Sequence, residues 1–152
     1  MVFLLVGFTL MMLMRWLLVT AFLLLLAFPP LESAGLMQLM DRVAGTGFFM
    51  PEGRVVGNRV LKYAGGGNPL LWQHLFWFLA HPEVYVVILP AMGIVAEVLT
   101  TNIRKPLWGY RLMVYAAMFL GFMSMLVWAH HMFLIGMGTA MWLLVFALLY
   151  LL

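Results

Sequence analysis

No cysteine occurs in the 152 residues, so disulfides, thiolate metal sites and iron–sulfur clusters are excluded, and any metal must be held by nitrogen or oxygen. Charge is scarce too. Asp, Glu, Lys and Arg together make up 9% of the chain, against about 25% in an ordinary soluble domain. In their place the chain is 66% hydrophobic with a mean hydropathy of +1.10, a composition that belongs in a lipid bilayer. Eight Lys and Arg stand against five acids. They fall in two loops and at one helix end rather than in a patch, so they read as topology signals and no nucleic-acid partner is expected. The N-terminus has no basic region followed by a small-residue cleavage site, so no removable signal peptide is expected.

The expected fold is all-α: a polytopic transmembrane helix bundle segment with three spans and a possible short fourth, each full span needing about 20 apolar residues. The first apolar block, residues 1 to 40, is interrupted by Arg15, Pro29-Pro30 and Glu32. A span over about 2 to 28 puts Arg15 near mid-membrane, at roughly 2.5–3.5 kcal/mol on insertion scales. A span over about 16 to 40 moves Arg15 to the interface but takes in Glu32 and both prolines; Asp41-Arg42 makes a natural end to it and favours this framing. Residues 41 to 68, with Gly45, Gly47, Pro51, Gly53, Gly57 and Gly65-Gly66-Gly67, read as an extramembrane loop. Asn68-Pro69 starts a second helix, about 69 to 98, with Pro82 and Pro90 as local kinks. A basic turn with Asn102, Arg104, Lys105, Pro106 and Gly109 leads to a third helix, about 110 to 136. The tail 142 to 152 is aliphatic and too short to span alone. Arg104, Lys105 and Arg111, with no acids among them, mark the short turn as cytoplasmic; the long loop offsets Arg42, Arg54, Arg59 and Lys62 with Asp41 and Glu52.

Chemistry concentrates in two places. His81, Glu83 and Tyr85 lie within five residues in the middle of an apolar helix, where each is costly unless paired or ligated. At helical spacing His81 and Tyr85 share a face one turn apart, and Glu83 points roughly the other way. The other place is His130-His131. If the second and third helices form a hairpin about the basic turn, His81 is about 21 residues before it and His130 about 21 after it, each roughly 30 Å away. Three imidazoles then meet at one level, a donor set that suits copper, zinc or iron with an open position. Adjacent histidines on an ideal helix diverge by about 100°, which counts against the pair acting together. His74, about 10 Å before His81, is too far to share its metal and reads as an interface hydrogen-bonding residue. Glu83 is either a proton carrier or an acid bonded to backbone freed by Pro82. Trp72, Trp77, Trp108, Trp128 and Trp142 include interface-belt candidates, and the fifteen methionines suit irregular helix packing.

The runs Gly66-Gly67-Asn68-Pro69, Gln73-His74-Leu75-Phe76-Trp77-Phe78 and His81-Pro82-Glu83-Val84-Tyr85, followed by Trp128-Ala129-His130-His131-Met132-Phe133, resemble subunit I of the heme–copper oxidases, in the cytochrome c oxidase branch that carries the glutamate. The resemblance extends over about residues 16 to 141. It implies that His81, His130 and His131 ligate copper beside a heme, where dioxygen is reduced to water. It implies that Tyr85 is covalently linked to His81 and donates an electron and a proton, that Glu83 passes protons for chemistry and pumping, and that Trp77 sits against the copper site. Copper and heme are the implied cofactors. Other oxidase subunits, especially subunit II, a cytochrome c or quinol electron donor and the lipid bilayer are the implied partners, and the implied location is a bacterial inner membrane.

The chain departs from that pattern in places. The histidines that hold the hemes lie in family helices outside these residues. Ala96-Glu97 stands where the family often has a hydroxyl, Pro30-Leu31-Glu32 replaces a more apolar run, and the tail 142 to 152 lacks the family's threonine and lysine. The expectation is therefore an internal fragment, residues 1 to 152, of an oxidase subunit. A non-catalytic truncated membrane fragment is the alternative. A zinc hydrolase with Glu83 as base is disfavoured, because no two histidines show the helical spacing with an intervening glutamate that such enzymes use.

Overall fold

The structure is a computed structural model that describes residues 2–52, 54–56, 59–61 and 65–151, with backbone alone over 2–12, 54–56 and 60–61. Gly53, Gly57 and Lys62 of the long loop lie outside the described residues. In chain order the elements are α1 (Val2–Val43), a small hairpin of β1 (Arg54–Val56) and β2 (Arg59–Leu61), α2 (Pro69–Ile103), α3 (Tyr110–Ser124), a 3-10 segment (Trp128–Ile135) and α4 (Thr139–Tyr150). Three stretches, Leu13–Val43, Pro69–Ile103 and Tyr110–Ile135, are long and apolar enough to cross a membrane, and α4 is a shorter apolar helix. The chain is thus all-helical and multi-pass apart from one hairpin.

α1 runs unbroken through Pro29 and Pro30, although each proline removes a helix hydrogen bond. Its 42 residues span about 63 Å at 1.5 Å per residue, twice the hydrocarbon thickness, so both framings of the first span fall inside one rod. The Arg15 guanidinium lies 5.4 Å from the Tyr110 ring centroid, at the first residue of α3. Arg15 therefore stands level with the basic turn, where a cation is tolerated.

Among the α1 residues whose side chains are described, the buried ones are Trp16, Thr20, Leu23, Ala27, Ala34 and Asp41, and those of α2, His81 of the site below aside, are Leu79, Pro82, Leu89, Gly93, Ala96 and Thr100. Both series keep alternating steps of three and four or whole multiples of seven, the spacing that holds one seam between two helices crossing at a shallow angle. Small residues let the backbones approach. A Cβ on Gly93 would stand 3.2 Å from Trp16 Cγ, and one on Gly121 of α3 would stand 3.0 Å from Val19 Cγ1. Trp16, Leu23, Leu89, Ala96 and Ala117 form the shared core, with Tyr85 packed against it.

The described parts of the long loop are tied to the helix ends on either side. Asp41 is buried and its carboxylate accepts from Thr46 Oγ1 at 2.6 Å, Phe48 N at 2.9 Å and Phe49 N at 3.1 Å, folding the chain back over the end of α1. Backbone bonds from Gly66 N to Pro51 O, Gly67 N to Met50 O and Asn68 N to Phe48 O zip the two sides together, and β1 pairs antiparallel with β2 further out. Asn68 then caps α2, its side chain accepting from Leu70 N, with Pro69 at the first helical position, where no N–H is needed.

Besides α1, which runs beyond the favoured 16-to-40 framing at both ends, two further helix limits differ from the expectation. α2 continues to Ile103 and stops at Arg104, whose positive φ of 51° ends it at the basic turn. The third helix does not continue to 136. It ends at Ser124, whose hydroxyl donates to Gly121 O at 2.6 Å, while Met125 N and Leu126 N turn to Phe122 O and Met123 O. These tighter bonds begin the switch from α to 3-10 winding.

Candidate metal centre

α2 presents His74, Trp77, Phe78, His81 and Tyr85 at steps of three and four, and so along one face. The 3-10 segment lies against that face. Its own winding is interrupted at Met132 (φ −128°, ψ 26°), directly after the histidine pair, and Val127 and Met132 are buried on either side of that pair. In this irregular stretch the His130 and His131 rings lie 4.1 Å apart between centroids at 36°. The divergence expected of neighbours on an ideal α-helix does not arise here.

His81, His130 and His131 each offer a ring nitrogen, and these three atoms lie within 4.8 Å of one another. His81 Nδ1 and His131 Nε2 are 3.0 Å apart. Two ligands about 2 Å from one ion would stand roughly 3–3.5 Å apart, so this pair is spaced as two ligands of one metal would be. His130 Nδ1 meets the Val127 carbonyl oxygen. That contact places the proton on Nδ1 and leaves Nε2 with its lone pair free for a metal. His81 is the buried member of the three, and its Nε2 is buried without a hydrogen-bond partner. The donor set is wholly imidazole, which fits copper, and zinc as well.

The neighbouring residues occupy distinct positions around this cluster. Trp77 stacks on His131 at 3.8 Å with 5° between planes. Tyr85 meets His81 edge to face at 5.3 Å. Glu83 is exposed on the opposite side of α2, in a cleft with Ala80, Val84, Val87, Ile88 and Ala91. Among the described residues no hydrogen bond to Glu83 is present, so the bond to proline-freed backbone does not form. His74 Nδ1 accepts from Trp128 Nε1 at 3.3 Å. Trp128 also meets Phe78 at 5.2 Å, so it is held by α2, whereas Trp108, 91% exposed at the basic turn, is free for an interface belt. Sequence reasoning missed Trp128 as a partner of His74; its only signal was its place two residues before the histidine pair.

The model of the family described as "Cytochrome C and Quinol oxidase polypeptide I" matches residues 4–152, including the aliphatic tail. The chain is 55% identical over 113 residues to the alternative cytochrome c oxidase subunit 1 of Bradyrhizobium diazoefficiens, covering 74% of this chain and 19% of the relative. It is 48% identical over 120 residues to cytochrome c oxidase subunit 1 of Cereibacter sphaeroides, covering 79% and 19%. Over 120 residues it is 47% identical to that of Bacillus sp. (strain PS3), covering 79% and 18%. The chain thus spans about a fifth of the length of these curated relatives.

Proposed function

Because the chain belongs to the cytochrome c and quinol oxidase polypeptide I family, we propose that it supplies the copper ligands of a terminal respiratory oxidase that reduces dioxygen to water and pumps protons. The observation that carries this reading is the convergence of His81, His130 and His131 on one point with three ring nitrogens within 4.8 Å. When bound, copper supplies one-electron redox chemistry toward dioxygen; heme is held by parts of the oxidase outside these residues.

The chain's own residues divide the remaining work. His81 is oriented to offer Nδ1, and His130 and His131 to offer Nε2. The buried, unpartnered Nε2 of His81 is the nitrogen left for a bond to the Tyr85 ring, a bond whose formation removes one hydrogen from each ring and so needs the oxidising power of the enzyme's own substrate. Tyr85, with its ring against His81 and its body in the helix core, is suited to giving up a proton and an electron from its phenol. Trp77 stacks on the exposed His131 ring and fixes its orientation. Glu83 faces away from the metal, toward where other helices of the subunit would cover it, and holds a proton on that side. The implied partners are the remaining oxidase subunits, subunit II among them, and a cytochrome c or quinol donor, in a bacterial inner membrane.

The test is metal content of the complete subunit that carries these residues, purified with heme. One copper per subunit is expected at this site, lost on replacing His130 and His131 by Ala. Stoichiometric zinc with no copper would sink the proposal, and a gene that does not continue into further helices would favour the non-catalytic fragment.

A further inference from the structure

We propose that His74 is a positioning residue for the metal centre, acting through its hydrogen bond to Trp128 to fix the start of the segment that carries His130 and His131. The inference rests on the copper reading above. Among the described residues two side-chain hydrogen bonds join α2 to the 3-10 segment: Trp128 Nε1 donates to His74 Nδ1 at 3.3 Å, and His81 Nδ1 lies 3.0 Å from His131 Nε2. The second cannot coexist with a shared ion, because both nitrogens must turn lone pairs to the metal and the proton between them must leave. Once the ion is bound, the His74–Trp128 bond is, among the described residues, the one side-chain hydrogen bond left between the two elements, beside the coordination itself.

Its position suits the task. Trp128 is the first residue of the 3-10 segment, and His74 and Phe78, one turn apart on α2, meet it edge-on at 6.4 Å and 5.2 Å. Directly below, Trp77 and His81 grip His131 in the same way. The four α2 residues therefore hold the segment at two levels, an outer one without metal and an inner one with it. Accepting at Nδ1 keeps the His74 proton on Nε2, so His74 acts as a neutral acceptor that orients a ligand-bearing segment from outside the coordination sphere. The segment has no regular α-helical bonding of its own to set the register of the two ligands, which makes an external anchor consequential.

The test uses the assembled oxidase carrying this segment, with Trp128→Phe, which keeps the ring and removes the N–H, and His74→Phe, which removes the acceptor. His74→Asn keeps an acceptor near the Nδ1 position. The readouts are the rate of copper loss to a chelator and the infrared stretching band of carbon monoxide at the copper. Both single variants are expected to lose copper about 10–100 times faster, the range for partners that orient metal ligands, with a broadened or split band. The double variant should be no worse than either single, and His74→Asn should resemble wild type. Wild-type rates and bands in Trp128→Phe, or additive effects in the double variant, would overturn the inference. Should His74→Phe fail to assemble, Trp128→Phe compared with His74→Asn decides. Wild-type enzyme that holds no copper would instead sink the functional reading, and zinc loss from the three histidines would then judge the tether on its own.

Discussion

At the scale of single residues, the chemistry was legible because each group was out of place. His81, Glu83 and Tyr85 stood in an apolar helix, and helical spacing alone put Tyr85 beside His81 and turned Glu83 away. The structure has that arrangement, with the His81 and Tyr85 rings 5.3 Å apart. What spacing could not supply was the behaviour of His130 and His131, whose rings meet only because their segment is not an ideal helix. Nor could it supply the His74–Trp128 bond, which depends on where that segment lands. Glu83 is the residue whose role is most open to test. Its carboxyl sits on the far side of α2 with no hydrogen bond among the described residues, so Glu83→Gln removes the transferable proton and little else. In the complete oxidase the variant should keep its copper and lose rapid proton uptake by about 100-fold or more, the scale of a missing general acid–base group. A pH-indicator dye in single-turnover mixing with dioxygen reads this directly. Unchanged uptake would return Glu83 to a structural role.

At the scale of elements, helix existence was readable and helix faces were not. Every helix is apolar all round, so the seam between α1 and α2 carries no hydrophobic contrast. It is marked instead by small residues such as Ala27, Ala34, Gly93 and Ala96, at steps that show only once burial is known. The end of α3 was hidden for a similar reason, since Ser124 is a weak signal inside an apolar run. In the long loop, glycine richness marked a loop with turns but not the backbone pairing between residues 48–51 and 66–68. Gly66 and Gly67 make this testable. A Cβ on Gly67 would fall 1.8 Å from Gly47 O and 2.6 Å from the Phe48 carbonyl, both rigid backbone, whereas one on Gly66 meets nothing within 4 Å and faces only its positive φ of 97°. Gly67→Ala must therefore open the pairing between residues 48–51 and 66–68 and loosen the Asn68 cap, at about 3 kcal/mol. Gly66→Ala should cost about 1–2 kcal/mol, the left-handed penalty of an L residue. Limited proteolysis reads the difference: rapid nicking between residues 44 and 68 in the first variant and near wild-type resistance in the second. Equal resistance in both would mean the zipper is not tight.

At the scale of the whole molecule, the three long helices run in alternating directions, which puts the hairpin and the histidine cluster at one end and the basic turn at the other. Trp16 packs by Gly93 near the turn, Arg15 lies over Tyr110 beside it, and Phe49 of the loop meets Trp72 at 5.5 Å at the far end. Orientation then depends on the cations. Arg104, Lys105 and Arg111 cluster at the turn without an acid, and short loops rich in Lys and Arg stay in the cytoplasm. On that orientation the histidine cluster lies nearer the outer face, and in the oxidase proposed above a proton drawn from the cytoplasm would cross most of the bilayer to reach it. The lack of cysteine makes the chain its own clean background for testing this. Single cysteines in place of Lys105 and of Glu52, both exposed, should react with a membrane-impermeant maleimide from opposite sides: position 105 in inverted vesicles alone, position 52 in right-side-out spheroplasts alone. Labelling of position 105 from outside would invert this orientation and place the histidine cluster near the cytoplasm.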